Sequence, residues 1–196
     1  MEEADAFLDE VDAGNPHPVG ELFCRSVRAQ IRLARGDTAN AIVDGEKAVD
    51  VAREWTVWGF LVVTLAGLAR ILLAAGRIEE ADALVTEAVG MGLRDVTYAA
   101  PDLATALVDL GRQGELGSAI EASPTSLWLD AAKAFVAGDC IGAAELYAEI
   151  GSVPYDADAR LRSGRADQVR RALDFYRSVG ATRYIREGEA LLAATA

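Results

Sequence analysis

Residues 73–89 read LAAGRIEEADALVTEAV: an apolar run that ends at Gly76, a short polar turn, and a second run whose inner face opens on Ala81. The same order recurs as LARGDTANAIVDGEKAV over 33–49 around Gly36, as LGRQGELGSAI over 110–120 around Gly114, and as FVAGDCIGAAELYAEI over 135–150 around Gly138. A degenerate fifth copy, RSGRADQVRRAL, spans 162–173 around Gly164. Self-similarity at a spacing of tens of residues marks a repeat array. Glycine can take positive φ and so end the first helix of each unit. Five residues on stand Ala41, Ala81, Ala119 and Ala143, whose methyl groups let a second helix approach closely. Leu61, Leu65, Leu68 and Leu72 before the turn, and Ala81, Leu84, Val85 and Ala88 after it, form apolar stripes at helical spacing. One hairpin cannot bury both of its faces, so neighbours must stack. The expected fold is an all-α solenoid of stacked antiparallel helical hairpins, four to five repeats in one domain over 1–196.

The turn glycines stand 40 and 38 residues apart and then 24 and 26, so the array is expected to be regular first and compressed later, with Pro124 cutting short the helix after Gly114. Both ends read as caps. Residues 1–14 suit a capping helix carrying Phe7, Leu8 and Val11, stopped by Gly14 and the turn Asn15-Pro16-His17-Pro18. Over 165–196, C-terminal capping helices are expected from Ala166 to Val179 and from Thr182 to Ala194. Gly180 would break the first and Thr182 would N-cap the second.

The chain carries 31 acidic against 19 basic residues, a net charge of −12, and such a surface repels phosphate backbones. No nucleic-acid partner is expected. Cys24 and Cys140 read as two buried small hydrophobes in a reducing cytoplasm. The acidic start MEEADAFLDEVD is unlike an export signal, so a cytoplasmic location is expected. The run Trp55 to Ala75 is long enough to test for a membrane span, but it contains Arg70, which costs about 2.5–3.5 kcal/mol on insertion scales. A helix covered by its neighbours explains the run better, and it overrides the β-branched cluster within 56–64.

The glycine turn, small alanine and aliphatic positions resemble tetratricopeptide repeats. The segments 128–150 and 172–194, and above all Phe175-Tyr176-Arg177-Ser178-Val179-Gly180-Ala181, look like the C-terminal helical tail of bacterial signalling proteins. Those carry a class III adenylate/guanylate cyclase or a helix-turn-helix output domain beside an AAA-like ATPase. The resemblance covers the tail alone and brings no cyclase or nucleotide-binding activity with it. Between Arg162 and Asp167 the chain departs from the pattern by about two helical turns.

Phosphate-binding and nucleophile-elbow motifs are absent, since Gly90-Met91-Gly92 lacks a third glycine, and His17 is the one imidazole. Glu79, Glu80 and Asp82 suit the first turn of a helix, and Asp9, Glu10 and Asp12 a solvated face. No catalytic residue, cofactor or metal is expected. In tetratricopeptide domains that hold a peptide carboxylate, cations line the inner face of each first helix. Counting back from the turn glycines, that face here holds Phe23, Ser26, Val27 and Gln30, then Val63, Ala66, Gly67 and Arg70, then Pro101, Ala104, Thr105 and Val108, then Thr125, Trp128, Leu129 and Ala132. Arg70 is the single cation among them, which argues against a carboxylate clamp. Phe23, Gln30, Val63, Arg70, Val108 and Trp128 are the candidate partner-binding residues, and Trp55, Trp58 and Trp128 are core candidates first.

The leading expectation is an interaction or regulatory module for a protein or peptide partner, or for other domains of a larger parent, with no membrane and with homo-oligomers left open. The alternative is a sensor for a small apolar ligand held inside the solenoid, with Trp58 and Trp128 meeting the ligand.

Overall fold

A computed structural model describes residues 9–10, 13–14, 18–55, 58–94 and 96–194. Eleven helices are present among them: α1 (Pro18–Arg35), α2 (Thr38–Glu54), α3 (Trp58–Ala74), α4 (Ile78–Met91), α5 (Ala100–Asp109), α6 (Leu116–Ile120), α7 (Leu127–Val136), α8 (Cys140–Ile150), α9 (Val153–Arg162), α10 (Ala166–Val179) and α11 (Thr182–Ala194). No strand occurs among the described residues. The expected capping helix over 1–14 and the His17 turn lie almost wholly outside them.

Helices that follow one another in sequence pack together through most of the chain, and α1, α3, α5 and α7 also stack in a row, so the fold is an all-α solenoid. Its core is aliphatic. Leu65, Ile71, Leu103, Leu107, Leu161 and Leu173 are fully buried, each worth about 1.5–3 kcal/mol of transfer free energy. The run tested as a membrane span is α3, with Val62, Thr64, Leu65, Ala66, Leu68, Ala69, Ile71 and Leu72 buried by neighbouring helices. No helix among the described residues is long and apolar enough to cross a membrane.

The elbows work as their chemistry requires. Gly76 sits at φ +76, and beyond it the Arg77 amide donates to the Leu72 carbonyl at 2.9 Å, satisfying an otherwise orphaned group at the end of α3. Ala81, five residues on, is completely buried, as are Ala41 and Ala143. At the third elbow the register differs from expectation. Gly111, not Gly114, takes positive φ (+71), and the Arg112 amide closes the turn on the Leu107 carbonyl at 2.7 Å. Gly114 lies instead in a short 3-10 turn, Gln113–Glu115. The residue five beyond the true elbow is Leu116, also buried. The helix that follows stops at Ile120, four residues before Pro124, so the proline does not set its end.

Both C-terminal helices fall where the spacing puts them, with Gly180 at φ +67 between them. Thr182 is not an N-cap: its hydroxyl donates to the Arg35 carbonyl at 2.7 Å. Cys24 and Cys140 are half-buried free thiols, more accessible than core hydrophobes. Burial raises the Cys140 thiol's pKa, which suppresses its thiolate. Trp55 and Trp58 are not core residues: Trp55 is 50% exposed and Trp58 37%.

Nothing lies within 4 Å of a methyl group placed on Gly76, so substitution there tests backbone conformation alone. Gly76→Ala is expected to cost about 1–2 kcal/mol, read as a lower urea midpoint at unchanged slope.

Candidate functional site

Helix α11 closes the array on itself. Besides the Thr182–Arg35 bond, Ala34 of α1 packs against the cluster formed by Ala157, Leu161, Val169, Ala172, Leu173, Tyr176 and Ala181. The first and last of the described long helices thus meet. The concave face becomes the wall of a cavity of about 590 Å³, lined by residues of α1, α2, α3, α9, α10 and α11 together with Tyr98 and Asp102. Phe23 (43%), Val27 (49%) and Tyr98 (37%) line it and are exposed, which marks its mouth.

Four of the six candidate residues stand on this wall: Phe23, Gln30, Val63 and Arg70. Val108 faces a second cavity of about 400 Å³, beside Phe135 and Cys140. Trp128 is packed behind the wall, edge-on to Tyr155 with ring centroids 6.0 Å apart. Trp58 lies beneath the Arg94 guanidinium, 4.7 Å from its ring centre, and neither tryptophan lines the large cavity.

Tyr98, Asp102, Tyr155 and Asp158 are wall residues that sequence reasoning missed: the first two because the third elbow was misplaced, the last two because the face before the degenerate Gly164 copy was not counted. Phe23, Ser26, Val27 and Gln30 stand 13, 10, 9 and 6 residues before Gly36, and Val63, Gly67 and Arg70 stand 13, 9 and 6 before Gly76. The same offsets taken from Gly111 reach Tyr98, Pro101, Asp102 and Thr105, and from Gly164 they reach Gly151, Pro154, Tyr155 and Asp158. Tyr98, Asp102, Pro154, Tyr155 and Asp158 all line the cavity.

Three charges meet on an otherwise largely apolar wall. Arg70 Nη1 donates to Asp102 Oδ1 at 2.5 Å, and Arg70 Nη2 to Asp158 Oδ2 at 3.4 Å. Their side chains are only 11–12% exposed. Burial alone would lower the Arg70 pKa, but the Asp158 and Asp102 carboxylates outweigh it and hold the guanidinium well above its ordinary value. Arg162 also approaches Asp158, at 3.4 Å, while gripping both oxygens of Asp109 at 2.6 and 3.0 Å. Tyr155 and Tyr184 line the same wall, and Tyr176 stacks on Tyr184 with ring centroids 4.8 Å apart. Burial raises the pKa of Tyr155, Tyr176 and Tyr184, and the nearby carboxylates add to it. No three His, Cys, Asp or Glu side chains among the described residues converge to hold a metal ion.

A scan against protein-family models finds no match to this chain, and a search of curated proteins finds no significant relative.

Removing Arg70 leaves two buried carboxylates without their shared cation. Arg70→Met is expected to lose about 3–5 kcal/mol in urea unfolding, and adding Asp102→Asn to it is expected to restore part of that loss. All five tyrosines have raised pKa values. A phenol whose folded pKa is raised stabilises the fold fully below about pH 10, and that contribution is lost as pH climbs toward the folded value. Absorbance at the phenolate band is therefore expected to rise first for the exposed Tyr98 and, for Tyr147, Tyr155 and Tyr176, only together with alkaline unfolding.

Proposed function

We propose that this chain is a non-enzymatic binding module whose site is the closed interior of its solenoid, and that ligand occupancy regulates a larger assembly. The observation that carries the reading is the contact of α11 with α1, since without it the inner face would be an open groove. A cavity of about 590 Å³ with a mainly apolar wall and a few converging polar groups has the size and character of a small-molecule site. The resemblance to tetratricopeptide repeats, and to the helical tails of ATPase-linked bacterial regulators, supports a regulatory role. Phe175, Tyr176, Val179 and Ala181, from the most specific part of that resemblance, line the cavity. Ligand in the cavity would touch both α1 and α11 and so favour the closed arrangement over an opened one, which is the differential affinity that a switch needs.

A second reading is favoured by the exposed rim. Phe23 and Phe60 stack edge-to-face at 5.1 Å, and Phe23 and Val27 present apolar surface at the mouth. A partner protein could dock an apolar side chain there, in keeping with the expectation of a protein or peptide partner.

The neutral naphthalene dye Prodan tests the cavity. It is expected to bind once per chain with blue-shifted emission, and Gly67→Leu, which points a side chain from α3 into the cavity, is expected to abolish binding while the helical circular dichroism persists. A dye that bound the variant as well as the parent would rule the interior out.

A further inference from the structure

The wall charges do not balance. Arg162 is matched by Asp109, which it grips with two hydrogen bonds. Arg162 also stands 3.4 Å from Asp158, so the cluster sets Arg70 and Arg162 against Asp102, Asp109 and Asp158, two positive against three negative charges, or a net −1. Asp102 uses Oδ1 for Arg70 and also meets the Tyr155 hydroxyl, and its Oδ2 lies near Gly67: a methyl group built on that glycine would stand 3.9 Å from Oδ2 and 3.5 Å from Gln30 Nε2. The missing side chain leaves the carboxylate accessible from the cavity. Aromatic rings of Phe23, Tyr98, Tyr155, Phe175, Tyr176 and Tyr184 surround the same space, and their faces attract cations.

On these grounds, and resting on the interior-site reading above, we propose that the cavity takes a single organic cation: a protonated amine that pairs with Asp102, carried on an apolar or aromatic body that fills the ring-lined volume. Each alternative charge class meets a specific obstacle. An anion would need Arg70, whose guanidinium is already shared by Asp102 and Asp158, and it would raise the local charge to −2. A neutral molecule would displace water from the unbalanced carboxylate without replacing its solvation. A cation cancels the charge and gains a charge-assisted hydrogen bond. A metal ion lacks ligands here, because the cavity wall offers two carboxylates and a guanidinium. The chain's overall charge of −12 draws cations toward it as well.

Three indoles of nearly one shape separate the classes: tryptamine, tryptophol and indole-3-acetate, positive, neutral and negative at pH 7. Each is titrated against the Prodan-loaded 196-residue chain, and displacement is followed by dye emission. Tryptamine is expected to displace the dye at about tenfold lower concentration than tryptophol, a preference worth about 1.4 kcal/mol, with indole-3-acetate weakest. Asp102→Asn is expected to erase the gap between tryptamine and tryptophol while Prodan still binds once per chain, which a merely destabilised fold would not do. Equal displacement by all three, a preference for indole-3-acetate, or Prodan binding that tryptamine never competes overturns the cation assignment and leaves the cavity reading standing. Failure of Prodan itself to bind overturns both. The order among the three indoles is read on the unmodified chain, so the test survives if the Asp102→Asn variant does not fold.

Discussion

Helix α3 buries eight of its seventeen residues, against α2 and α4 in its own part of the chain and against α5 beyond them. That two-sided burial is the constraint under which the whole array folds. A helical hairpin can cover one apolar face with its own second helix, but the other stays wet until another unit arrives. The elbows make the close approach possible. A glycine in the left-handed region ends one helix within a turn, and a small or well-fitted residue five positions later lets the next helix lie against it. The condition continues around the array to α11, where Ala34, Tyr176 and Ala181 cover surface that would otherwise face solvent.

Closure changes what the concave face can do. In an open solenoid, Arg70, Asp102 and Asp158 would be surface ion pairs worth little. Inside, the same three groups are nearly dry, and their interaction is strong but offset by the cost of desolvating them. A buried ion pair is a weak source of net stability, so the packing of the solenoid does not by itself require one. Two other features of the site have the same character: an exposed aromatic rim, and a glycine on α3 where a larger side chain would fill the space. Each forgoes some packing and keeps the interior accessible. The buried cluster on α1 is different. There Arg28 grips both oxygens of Asp44 at 2.9 and 3.0 Å and reaches Asp9 at 2.9 Å, and Arg32 adds a bond to Asp44 at 2.6 Å, so two cations face two carboxylates and Asp44 joins α1 to α2.

Much of this was legible beforehand because local chemistry repeats. Gly36, Gly76, Gly138 and Gly164 mark helix ends through a backbone preference that needs no tertiary partner, and all four have positive φ. Four wall residues, Phe23, Gln30, Val63 and Arg70, followed by counting back from two of those glycines. Gly111 and Gly114 were harder to separate, because both follow an apolar run, and the positive φ of Gly111 and the bond from Arg112 to Leu107 appear only in the structure. A three-residue error shifts the count by about 4.5 Å along a helix and turns the face by about 60°, which is how Tyr98 and Asp102 were passed over for Ala104 and Val108. The tryptophans misled for another reason. Hydrophobic size favours burial, but Trp55 lies just beyond α2 and Trp58 opens α3, both exposed, and Trp58 makes a cation–π contact with Arg94.

The sequence by itself determined the helices, their elbows and the need to stack, because glycine conformation and the 3.6-residue period act over a few residues. Tertiary structure alone decided that the last helix returns to the first and that one arginine meets two aspartates, 32 and 88 residues away. Those outcomes depend on the curvature summed over every hairpin. A small angular difference per unit, invisible in any one repeat, separates an open groove from a cavity with a mouth.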